Sequence, residues 1–123
     1  MTSGRVIAIL EHDQVSSDAL AMIVSDWGAK VVQGRSAEDV LEHLGPDLGP
    51  ELSCVIADYD IPGHRDGVAA SKHLQQTAPE CRVLILGGNI HTRGDAAAAA
   101  AGYDIIHKPA RAEDIIAWLN SEK

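Results

Sequence analysis

Residues 55–67 read VIADYDIPGHRDG. A short apolar run, Cys54-Val55-Ile56-Ala57, ends in a carboxylate, Asp58, and a second carboxylate, Asp60, follows two residues on. Pro62-Gly63 turns the chain, and Gly67 opens a new apolar pattern. An apolar run of this length bounded by turn residues reads as a buried strand. Asp58 then stands at the strand's carboxyl end, the edge where open α/β sheets bind ligands. A charge there is costly unless it is paired, holds a metal or reacts. Asp58 is therefore the candidate functional residue; the plainer alternative is a solvated carboxylate that merely closes the strand.

The flanking sequence supports the same architecture. Upstream, 5–10 (RVIAIL) is a continuous apolar run that stops at Glu11-His12-Asp13. Helical spacing follows, with Val15, Ala19, Met22, Ile23 and Trp27 on one face and Gly28 as the stop. A short strand is expected over 29–33. A helix capped by Ser36, with Asp39 three residues on, carries Val40, Leu41 and Leu44 inward and breaks at Gly45-Pro46. Residues 47–51 read as a loop and 52–57 as the third strand.

Downstream, 67–77 is helical, 82–86 (RVLIL) is a fourth buried strand closed by Gly87-Gly88, and 95–101 is an alanine-rich helix. Residues 104–106 form a very short strand before His107-Lys108-Pro109. A last helix over 112–119 turns Ile115, Ile116 and Leu119 inward. This is β-α five times over. Strands without polar alternation imply a parallel sheet covered on both faces by right-handed crossovers. No domain boundary interrupts residues 1–123, which read as one domain.

Composition narrows the function. A net charge of −8, with no basic block, argues against nucleic acid as a partner. No apolar run approaches a membrane span, and the first ten residues lack a signal peptide's cleavage region, so a cytoplasmic location is expected. Cys54 and Cys81 form no metal pattern and read as small buried side chains. The scattered histidines His43, His64, His73 and His91 show no zinc spacing, and Trp27 and Trp118 read as packing residues.

Three polar clusters fall at three strand ends: Glu11-His12-Asp13, Asp58 and His107-Lys108. With strands one and three adjacent, they converge at one sheet edge. Clustered carboxylates repel one another unless a cation or proton intervenes. A lysine beside them suggests a hard cation that shares the site with an anionic ligand, as Mg²⁺ does with phosphate. Lys108 would pair with Asp58 or with a phosphoryl oxygen.

These motifs, in this order and over the whole length, resemble the receiver domain of two-component response regulators, including receivers attached to hybrid sensor kinases. The resemblance implies a (βα)5 flavodoxin-like fold with a five-stranded sheet in the order 2-1-3-4-5. It implies a phosphoacceptor at Asp58, phosphorylated by a sensor histidine kinase or phosphotransfer protein, and a phosphoryl-contacting Lys108. Mg²⁺ would be held by Glu11, Asp58 and the backbone carbonyl of Asp60. Such a domain catalyses its own phosphorylation and is not a conventional enzyme. The face of helix four, strand five and helix five is the family's contact surface and a route to a homodimer.

Three positions depart from the pattern. His12 replaces the second acidic metal position, Gly87 replaces the hydroxyl residue after strand four, and Ile105 replaces the aromatic switch residue. One extra residue also lies between Asp58 and Gly67, within His64-Arg65-Asp66. Imidazole is a poor Mg²⁺ ligand, so weak Mg²⁺ binding is expected. Asp13 replaces His12 as ligand, an imidazolium supplies the positive charge, or His12 only lines the rim. Gly87-Gly88 either offers backbone N–H groups to phosphate or is a loop. His107, Arg65 and Asp66 read as solvated loop residues. The competing function is a pseudo-receiver that binds partners without phosphorylation. A flavin- or nucleotide-binding protein is disfavoured, because carboxylates stand where phosphate would need amides.

Overall fold

The computed structural model describes residues 5–60, 66–88 and 93–121. Ten elements alternate along the chain: β1 (Val6–Leu10), α1 (Gln14–Trp27), β2 (Lys30–Gly34), α2 (Ala37–Leu48), β3 (Leu52–Asp58), α3 (Gly67–Thr77), β4 (Arg82–Gly87), α4 (Arg93–Ala101), β5 (Asp104–His107) and α5 (Ala112–Asn120). A 3-10 turn, Gly49–Glu51, joins α2 to β3. All neighbouring strands are parallel, in the order β2-β1-β3-β4-β5. This is the expected flavodoxin-like topology.

Strand pleating divides the core in two, because successive side chains point to opposite faces. Ala8, Leu10, Val55, Ala57, Val83 and Ile85 face one layer, with Val40, Leu44, Leu74 and Ala98 from α2, α3 and α4. Ile7, Ile9, Ile56, Leu84 and Leu86 face the other, with Leu20 and Val24 from α1 and Ile115, Trp118 and Leu119 from α5. The three central strands are buried on both sides, which is why their sequences show no polar alternation. Both cysteines are free and buried, as expected.

The helix faces needed correction in two places. The expected inner face of α1 began at Val15, yet Val15 is 78% exposed and Met22 67% exposed. The residues buried in α1 are Ser17, Leu20 and Val24. Apolar residues surround much of this helix, so periodicity alone left its rotation open, and packing against β1, β2 and α5 set it. In α5 the buried set is Ile115, Trp118 and Leu119 rather than Ile116. Trp118 packs as expected, donating its indole N–H to Asp104 at 2.8 Å and lying under the Arg82 guanidinium at 4.2 Å.

Local signals were more faithful. Ser36 caps α2 by accepting from the Asp39 N–H at 3.0 Å. Asp39 reaches back to the Arg35 N–H at 3.0 Å, one residue before the Ser36 N–H that the expected capping box would use. Gly45 adopts φ 75°, a conformation that disfavours side chains, and kinks α2 where a break was expected. Helix resumes beyond Pro46 to Leu48, so 47–51 is helical and 3-10 rather than an open loop.

Candidate functional site

Asp58 is the last residue of β3 and is 4% exposed. Its neighbour strand β1 runs in register, Leu10 opposite Ala57, so Glu11 emerges beside Asp58. Glu11 is also 4% exposed. Lys108 follows β5 directly, held there by its N–H donating to the Gly87 carbonyl at 2.9 Å. Three strand ends thus deliver two buried carboxylates and one ammonium to one edge.

The geometry is an asymmetric bridge. Lys108 Nζ donates to Asp58 Oδ2 at 2.8 Å and stands 3.7 Å from Glu11 Oε1. Asp58 Oδ1 accepts the Asp60 N–H at 3.2 Å, and Glu11 Oε2 accepts the Asp13 N–H at 3.1 Å. Burial, partly offset by the Asp13 N–H, together with the Asp58 charge raises the Glu11 carboxyl above its ordinary range. Lys108 is raised as well: burial works against its charge, but the hydrogen bond and charge of Asp58, with Glu11 and Asp60, outweigh it.

The backbone between β3 and α3 is pinned at both ends. The Tyr59 N–H donates to Leu86 O at 3.0 Å, and the Gly67 N–H donates to Tyr59 O at 2.8 Å. Asp66 caps α3 by accepting the Ala69 N–H at 2.8 Å, so it is no solvated loop charge. Gly67 is required: a Cβ there would overlap the carbonyl oxygen of Asp58. The Pro62-Gly63 turn, His64, Arg65, Asn89 and His91 lie outside the described residues.

Two further expectations meet the structure here. Asp13, expected as a substitute metal ligand, stands outside the group formed by Glu11, His12 and Asp58. Its carboxylate caps α1, accepting the Ser16 N–H at 3.0 Å and the Ser16 hydroxyl at 2.8 Å, and these bonds lower its pKa. His107 is no exposed loop residue. It is the last residue of β5, opposite Gly87, and its Nε2 lies 3.0 Å from both Asp95 oxygens on α4. The signal for it in the sequence was weak, because Asp95 precedes it by twelve residues and only tertiary packing brings them together.

Gly87 belongs to β4 and pairs with β5, so it is not a loop. A Cβ at Gly87 would stand 3.1 Å from Ile105 Cδ1, 3.5 Å from His107 Cδ2 and 3.6 Å from Asp95 Oδ1. The space that a hydroxyl residue would use is thus bordered by Ile105 and the His107–Asp95 pair. Beside the carboxylates opens a groove of about 610 Å³ that the sequence did not announce. Ala19, Leu20 and Ile23 of α1 line one wall, and Pro109 and Ala110 the other, with Glu11 and Lys108 at its end.

Among the described residues, the side-chain donors grouped for a cation are one oxygen each from Glu11 and Asp58 and a nitrogen of His12, all within 4.8 Å of one another. Mg²⁺ prefers oxygen ligands in near-octahedral geometry. Glu11 and Asp58 suit it; His12, which takes the second acidic position, does not.

Solved structures with the same fold include a response regulator receiver domain protein from Clostridium thermocellum (19% identical, TM-score 0.79, covering 95% of this chain and 91% of that one). A CheY-like receiver protein from Methanospirillum hungatei is 18% identical with TM-score 0.76, covering 96% of this chain and 91% of that one. A Burkholderia pseudomallei response regulator, with a phosphorylated aspartic acid, calcium ion and citrate, is 22% identical with TM-score 0.76, covering 97% and 68%. No curated protein matches the chain at a significant level. The model of the response regulator receiver domain matches residues 7–120, and the chain therefore belongs to that family.

Proposed function

We propose that this receiver domain, a module of two-component signalling, accepts a phosphoryl group on Asp58 from a sensor histidine kinase or phosphotransfer protein. The observation that carries the reading is the buried Asp58 carboxylate held at 2.8 Å by Lys108. An Asp58 oxygen attacks phosphorus in line as the bond from phosphorus to the donor breaks. The electron pair leaves on the donor, which is an imidazole nitrogen in a phosphohistidine or a carboxylate in a small acyl phosphate. Lys108 offsets charge on the phosphoryl oxygens, where stabilisation of phosphoryl transfer acts. Glu11 adds a second carboxylate that shares Lys108 with Asp58, so the negative charge in excess calls for a further cation or a proton.

The donor's approach is favoured from the α1 side. Val15 and Met22 are large apolar residues exposed on α1, the helix whose Ser16, Ala19 and Ile23 line the groove that ends at Lys108. The Burkholderia relative, which carries a phosphorylated aspartate, supports the same chemistry on this fold. Among the described residues no helix is long and apolar enough to cross a membrane, which is compatible with a cytoplasmic partner.

Intact mass after incubation with a small acyl phosphate and a divalent cation tests the reading. One phosphoryl group should be gained by the wild type, none by Asp58→Asn, and acceptance should slow markedly in Lys108→Ala. A folded wild type that gains no mass from either the acyl phosphate or a donor kinase would point to a pseudo-receiver instead.

A further inference from the structure

Position 12 changes the chemistry of the cation pocket. Glu11 and Asp58 each aim an oxygen into it from a side chain more than nine-tenths buried, and His12 adds a nitrogen from a half-exposed ring. His12 Nδ1 lies 3.6 Å from Glu11 Oε2. That separation is too long for a hydrogen bond. It is, however, the span of two donors sharing one ion. With metal–donor bonds of about 2.1 Å, a 3.6 Å span subtends roughly 118°. Neighbouring ligands of an octahedral ion of that size would stand only about 3.0 Å apart. The Glu11–His12 span is thus wider than an octahedral edge of that size, and Asp58 joins the group within 4.8 Å.

Donor type points the same way. Imidazole suits zinc and other transition dications, whereas Mg²⁺ favours carboxylate, carbonyl and water. Asp13, the only other carboxylate in the Glu11-His12-Asp13 run, is spent as the α1 cap. We propose that Glu11, His12 and Asp58 form a mixed nitrogen–oxygen site that takes a transition dication of the Zn²⁺ or Co²⁺ type in preference to Mg²⁺. The proposal rests on the phosphoacceptor reading only for its location, since the donors are in place in the resting chain. Its consequence is that the signalling module is gated by a scarcer metal than Mg²⁺.

The test is calorimetric titration of the full chain with Zn²⁺, Co²⁺ and Mg²⁺ separately, without any phosphodonor. Wild type is compared with His12→Asp and His12→Gln; the side chain is half-exposed, so both should fold, which circular dichroism verifies. The His12 ring resonances are followed during the Zn²⁺ titration. This separates the site from His43–Asp39 and His107–Asp95, the other imidazole–carboxylate pairs among the described residues. The expected result is a shift of the His12 resonances and a Zn²⁺-to-Mg²⁺ affinity ratio that falls at least about tenfold in His12→Asp. In His12→Gln, Zn²⁺ affinity should fall by a similar factor. Smaller changes, or zinc that perturbs His43 or His107 but not His12, would overturn the proposal. Zinc binding through His12 in a chain that accepts no phosphoryl group would refute the phosphoacceptor reading and leave this one standing.

Discussion

Gly67→Ala is the substitution whose cost can be worked most directly from the structure. A Cβ at position 67 would overlap the Asp58 carbonyl oxygen and stand 2.9 Å from the Asp58 carbonyl carbon and 3.0 Å from Tyr59 Cα. Ordinary contact begins near 3.4 Å. Every obstructing atom is backbone, so no rotamer change relieves the clash. The start of α3 must instead move away from the end of β3. Overpacking of this kind costs about 1–3 kcal/mol. The movement also strains the hydrogen bond from Gly67 N–H to Tyr59 O, now 2.8 Å, adding about 1 kcal/mol. The sum is about 2–4 kcal/mol, or a Tm lowered by roughly 8–16 °C for a domain of this size.

Urea unfolding at constant slope is the assay, because it separates a change in stability from a change in unfolded-state compactness. Gly88→Ala is the control, since nothing lies within 4 Å of a Cβ there. It should stay within about 0.5 kcal/mol of wild type. Because the clash is against Asp58 itself, Gly67→Ala should also slow phosphorylation from a small acyl phosphate. A Gly67→Ala chain as stable as wild type would refute the claim that the glycine is there for close approach of α3 to the phosphoacceptor strand.

Ser36→Ala should destabilise by about 1 kcal/mol through loss of the cap on α2, read by urea unfolding. Burial, with the neighbouring Cys54, pushes the Cys81 thiol up to about 11 from an ordinary value of 9.0. The folded chain then keeps a proton that the unfolded chain loses. Stability from this group is complete below pH 9.0 and is lost as pH rises through about 11, a fall of about 2–3 kcal/mol. Lys108, also raised, acts in the same direction, and Cys81→Ala should flatten the slope. Val15→Lys with Met22→Lys should slow phosphotransfer from a protein donor at least about tenfold, yet leave acceptance from a small acyl phosphate unchanged. Equal slowing with both donors would place these residues outside the donor interface.

The sheet and its order were legible from residues 55–67 outward, because a buried parallel strand must be apolar along its length and a carboxylate at its end stands out against that run. Gly28, Ser36 and Gly45 were equally legible, since helix stops and caps depend on neighbours within four residues. The convergence of Glu11, Asp58 and Lys108 followed once strands one and three were placed side by side. The cap formed by Asp13 is as local, with its partner Ser16 three residues on, but the acidic run Glu11-His12-Asp13 pointed to a ligand role instead. His107 and Asp95 meet only because β5 pairs with β4 while α4 packs across it. The rotation of α1, with Val15 and Met22 outward, was likewise a tertiary decision: a helix with apolar residues on several faces buries whichever stripe its neighbours present a surface to. Short-range chemistry was written along the chain, and the partners of its polar side chains were decided by packing, because burial and distance belong to the folded molecule and not to sequence spacing.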